Sequence, residues 1–80
     1  MNDFISSKDL YAKLSLEGSY YDVSIDGEIK SLCVDDEQES CVIEFTYDKE
    51  NKKYTHNIWD NMFFIEQFKN SKIQIIGETK

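Results

Sequence analysis

The side chains with the most chemistry to offer are His56, Cys33, Cys41 and the acidic run Asp35-Asp36-Glu37-Gln38-Glu39. A catalytic histidine works with a nucleophile and an orienting carboxylate. His56 is the sole histidine, and it alternates with Tyr54 and Ile58, which reads as a core or half-buried sheet position. Cys33 and Cys41 have neither CxxC spacing nor a second histidine to complete a zinc site. The acidic run has the oxygen ligands that calcium or magnesium prefer. An EF-hand loop, however, spaces its ligands at alternate positions around a central glycine and ends on a glutamate. Here Asp35, Asp36 and Glu37 are contiguous and no glycine follows, so the run reads as a solvated hairpin tip. Only three glycines exist and none cluster, so there is no phosphate loop. No catalytic residue, cofactor site or metal site is expected, and the chain reads as a non-enzyme.

The elements that would position these residues follow from hydrophobic spacing. Cys41, Ile43, Phe45 and Tyr47 alternate with Val42, Glu44, Thr46 and Asp48, the period of a strand with one buried and one wet face. This stretch, from Ser40 to Asp48, is the expected centre of a sheet. Upstream, Ser6-x-x-Asp9 resembles a capping box, with Ile5 and Leu10 placed as a hydrophobic staple. Leu10 and Leu14 share a face and Gly18 suits a left-handed cap, so residues 6 to 16 are predicted helical. Residues 20 to 26 alternate as a strand, Asp26-Gly27 signals a hairpin, and residues 29 to 34 form the returning strand. After the polar turn DKENK, Tyr54, His56 and Ile58 mark a fourth strand. Asp60 caps a second predicted helix over residues 60 to 70, with Phe64 and Phe68 four apart. Ile73, Ile75 and Ile76 make a last short strand ending at Gly77.

The expected fold is α+β, in the order α-β-β-β-β-α-β. It is a twisted, mostly antiparallel sheet of four to five strands with two short helices, compatible with a small SH3-like partial barrel. A three-residue turn at Asp26 to Glu28 would set Ile25 opposite Ile29 and Tyr21 opposite Cys33. A five-residue loop at Asp35 to Glu39 would set Cys33 opposite Cys41, within disulfide reach, and Ile29 opposite Phe45. In that register Cys41, Ile43 and Phe45 enter one core with Tyr21, Val23 and Ile25. Leu32, Val34 and Val42 fall on the other face and call for a second cover.

Eighty residues make a single small domain, 1–80, whose core rests largely on five Phe, five Tyr and one Trp. Every basic residue is Lys and there is no Pro, the bias of AT-rich coding and a hint of a phage or mobile element. No apolar run reaches the ~20 residues of a membrane span, and MNDFISS lacks the regions of a signal peptide. The expected compartment is the cytoplasm, where both cysteines would be reduced, buried thiols.

Charge carries the functional expectation. A net charge of −7 opposes direct binding to nucleic acid and to anionic membranes, and complements a basic protein surface. The stretch from Glu17 to Glu50 holds eleven acidic residues against two lysines, a net of −9, while the remainder sums to +2. Carboxylates repeated along strands and turns can present charge at spacings resembling DNA phosphates. The sequence reads as a non-enzymatic acidic inhibitor, monomer or homodimer. It would block the nucleic-acid-binding surface of a defence enzyme, such as a restriction or CRISPR component, as a DNA mimic. An immunity protein or antitoxin facing a cognate basic toxin is the alternative. The expected contact residues are Asp35, Asp36, Glu37 and Glu39, helped by Asp22, Asp26, Glu28 and Glu44, with exposed Tyr20 and Trp59 as anchors.

Overall fold

The computed structural model describes residues 3–35 and 41–79, so Asp36, Glu37, Glu39 and Ser40 lie outside the described residues. The elements run α1 (Ser7–Glu17), β1 (Tyr21–Ile25), β2 (Glu28–Asp35), β3 (Cys41–Asp48), β4 (Lys53–Trp59), α2 (Asn61–Gln67) and β5 (Ile73–Glu78). This is the expected order. All four strand pairings are antiparallel, in the spatial order β4-β3-β2-β1-β5. With β4 and β5 as its two edges the sheet is an open layer that does not close on itself, so the SH3-like partial barrel that the element order also allowed is not completed into a barrel. Among the described residues no helix is long and apolar enough to cross a membrane.

Local chemistry explains the helix boundaries. Ser6 caps α1 by accepting a hydrogen bond from the Asp9 amide at 3.1 Å, and Gly18, at φ 70°, closes it by donating to the Leu14 carbonyl. Asp60 accepts from the amides of Met62 and Phe63 and so starts α2. The second helix stops at Gln67, earlier than the apolar spacing through Phe68 implied, and residues 68–70 form a turn.

Both helices lie on one face of the sheet. Leu10, Leu14 and Phe64 close over Val23, Ile25, Leu32, Val34, Val42 and Ile73, and this is the core. The buried Ser7 hydroxyl donates to the Ile65 carbonyl at 2.6 Å and ties the helices together. Sequence spacing had placed Cys41, Ile43 and Phe45 in this core. They are on the opposite face, half-buried and without a covering layer among the described residues, while Leu32, Val34 and Val42 take the core positions. The cause is the first hairpin. Asp26 and Gly27 have φ of 52° and 87°, positive at both central positions, as a two-residue type I′ turn requires. Ile25 therefore pairs with Glu28 and Tyr21 with Leu32, one residue from the expected register. A one-residue slip exchanges the faces of a whole strand. The β2–β3 register also differs from expectation. Cys33 faces Ile43 and Cys41 faces Asp35, so the two thiols share a face diagonally and no disulfide joins them.

Candidate interaction surface

The sheet face away from the helices is where the sequence and the packing disagree, and it is the surface with the most to offer a partner. Strand alternation and register place Ile29, Ser31, Cys33, Cys41, Ile43, Phe45, Tyr47, Tyr54, His56 and Ile58 there, across β2, β3 and β4. Nothing covers them among the described residues. Ile29, Tyr47, Tyr54 and Ile58 are between 48% and 68% exposed. His56 is exposed too, not the core or half-buried residue its spacing implied, and its ring stacks on Phe45 at 4.9 Å. Tyr20 approaches Phe45 at 5.6 Å with its ring tilted, and Tyr47 pairs with Tyr54 at 5.1 Å. Both lysines within strands, Lys30 and Lys53, occupy the alternation that faces the helices.

Between these rings lies an open depression of about 620 Å³ lined by Tyr20, Asp22, Ser31, Phe45, Tyr54 and Thr79. A short polar chain orders one wall. The Thr79 hydroxyl donates to Asp22 Oδ1 at 2.8 Å, and Ser31 Oγ lies 3.0 Å from Thr79 Oγ1. A hydroxyl has one proton. Since Thr79 gives its proton to Asp22, Ser31 is the donor to Thr79.

The acidic residues expected to act together do not form one surface. Asp22 and Asp35 are on the open face. Glu28 sits on the helix-side alternation, where it accepts from Lys30 at 3.1 Å. Asp26 is committed to the fold: its carboxylate accepts from the Lys72 amide at 2.9 Å. That backbone bond, then a hydrogen bond from Ser71, holds its pKa below the ordinary aspartate value. Asp36, Glu37 and Glu39 lie outside the described residues.

Glu44 is the clearest departure, because at 3% exposure it is buried and no partner can touch it. Its carboxylate accepts from Lys30 at 2.5 Å, from the Trp59 indole at 2.7 Å, and from Thr46 and Asn57 at longer range. Burial alone would raise its pKa. The hydrogen bonds from Lys30 and Trp59, with the Lys30 charge and Asn57, outweigh burial and lower it. Trp59 is likewise not an exposed anchor. It is half-buried on the helix side, edge-on to Phe64 and Phe68 at 6.3 and 5.5 Å. Tyr20 is also half-buried rather than exposed, but of the two expected anchors it is the one on the open face.

A β-sheet face rich in aromatic rings can stack unpaired bases, given basic side chains to hold the phosphates. This face has no lysine at a described strand position and carries Asp22 and Asp35. Among the described residues no group of three or more His, Cys, Asp or Glu is placed to hold a metal ion. Comparison with family models, characterised proteins and solved structures finds no match to this chain.

Proposed function

We propose that the chain is a non-enzymatic binding protein that lays its open sheet face on a basic protein surface and blocks it. The observation that carries this reading is an inversion. The more apolar alternation of β3, with Ile43 and Phe45, faces water, while the alternation carrying Glu44 is buried. A contiguous apolar face left uncovered on a small domain is the signature of a contact surface. Aromatic rings supply the anchors that dominate such contacts. Asp22 and Asp35 on the face, within a chain of net charge −7, set the sign of the partner. A nucleic-acid enzyme presents such a basic surface, and occupying it would inhibit the enzyme. An acidic phage or mobile-element inhibitor of a defence enzyme has this chemistry, as has an immunity protein that neutralises a basic toxin.

The test compares capture by the wild type and by the pair Ile43→Asp with Ile58→Asp, both from cells that carry the chain. The expected result is a basic protein held by the wild type and lost from the pair, with its nucleic-acid binding competed by the wild type. A bound protein that tolerates both substitutions would refute the open-face reading.

A further inference from the structure

Resting on that open-face reading, we infer that the depression between Tyr20, Phe45 and Tyr54 receives one arginine side chain of the partner protein. Its guanidinium would lie on the aromatic rings and bond to Asp22. Three features of the depression point to this occupant. Ring faces attract cations, arginine above all, because the guanidinium is planar, weakly hydrated and able to stack. The carboxylate at the wall is held in place by the Ser31–Thr79–Asp22 chain, and Thr79 occupies only its Oδ1 in the bonds seen. The bond from Thr79 restrains the carboxylate at the edge of the depression before any ligand arrives, and a restrained acceptor suits the fixed fork of arginine better than a mobile ammonium. Finally, the depression is broad and shallow, so a flat group can be sandwiched against its floor, whereas a compact lysine head would keep its water. A phosphate-bearing ligand meets Asp22 head-on and is disfavoured.

The probe is N-acetyl-arginine methylamide titrated into isotope-labelled protein, followed by backbone amide shifts. Saturable shifts confined to Tyr20, Asp22, Ser31, Phe45, Tyr54 and Thr79 are expected. Asp22→Asn keeps an oxygen for Thr79 and removes the charge, so it should weaken the probe about tenfold with the fold intact. Phe45→Tyr should retain binding and Phe45→Leu should lose it. Equal affinity for the lysine analogue, tighter binding of a short oligothymidylate, no saturation, or indifference to Asp22→Asn would each overturn the assignment. The captured partner separates this inference from the reading beneath it. A partner lost from Ile43→Asp with Ile58→Asp but fully retained by Asp22→Asn leaves the open face standing and removes the arginine site. A partner indifferent to all three substitutions removes the open face itself.

Discussion

Phe45 and Phe64 have the same side chain and opposite fates. Phe64, on α2, is fully buried against the sheet, in a cluster with Trp59 and Phe68. Phe45 rests on the open face between Tyr20 and His56. Phe64→Ala should therefore cost about 3–5 kcal/mol. Phe45→Ala forfeits ring contacts and the partial burial of its side chain, about 1–2 kcal/mol. Urea unfolding of the two variants checks the assignment, and equal losses would contradict the burial of one face over the other. Glu44 supplies a second prediction. Its pKa is lowered in the folded state, so its contribution is complete above the unfolded glutamate value and fades as pH falls through the lower, folded one. Lys30 is the mirror case: burial alone would lower its pKa, but the hydrogen bonds it donates to Glu44 and then to Glu28 raise it. Its contribution holds below the unfolded lysine value and is lost only as pH rises through the folded one. Together they stabilise the fold across the neutral range. Glu44→Gln should be destabilised near neutral pH, with the gap to wild type closing in acid. Glu44→Ala, which strands Lys30 beside Glu28 alone, should cost about 3 kcal/mol. Unfolding curves across pH, for wild type and both variants, are the measurement.

Elements were largely legible in the sequence, and their faces were not. The helix spacing of Leu10 and Leu14, the cap at Ser6 and the alternation of the strands all led to observed elements in their observed order. Alternation reports that a strand has two unlike faces, but not which of them a helix will cover. In β3 the apolar alternation of Ile43 and Phe45 outscored that of Val42 and Glu44, because nothing in a linear reading shows Lys30 and Trp59 converging on Glu44. The information that would have chosen the face was in Asp26-Gly27. Reading the dipeptide as a two-residue type I′ turn pairs Ile25 with Glu28, which sends Leu32 and Val34 to the side of Val23 and Ile25. Gly27→Ala tests the turn directly: at φ 87° a side chain should cost about 1–2 kcal/mol even though open space surrounds it. Asp26→Ala tests the pin between hairpin and β5. Because Asp26 holds the Lys72 amide, that amide should exchange with solvent much faster in the variant, while the core amides of Val23 and Leu32 change little. Unaltered exchange at Lys72 would leave Asp26 available as a surface carboxylate.

At the scale of the whole molecule, one layer of helices on a five-strand sheet leaves a second face uncovered among the described residues. Closing a barrel would have hidden it, but β4 and β5 do not meet. A further helix would have covered it, but both helices serve the other side. What remains is an aromatic and aliphatic surface on a chain of net charge −7, and on the proposed reading the two properties would divide the work of association. The charge would act at a distance and govern how fast a basic partner arrives, with a reach of about 8 Å at physiological salt. The rings would act on contact and govern how long it stays. Raising salt should therefore slow association with little change in dissociation, whereas Ile43→Asp with Ile58→Asp should speed dissociation. The reversal of Asp35, Asp36 and Glu37 to Lys should behave like salt, lowering the association rate without unfolding the domain. Kinetics at several ionic strengths, for the wild type and both variants, separate the two contributions. An association rate indifferent to salt and to the reversal would reduce the acidic residues to a solubility device. Dissociation unaltered by the Ile pair would move the contact off the sheet face altogether.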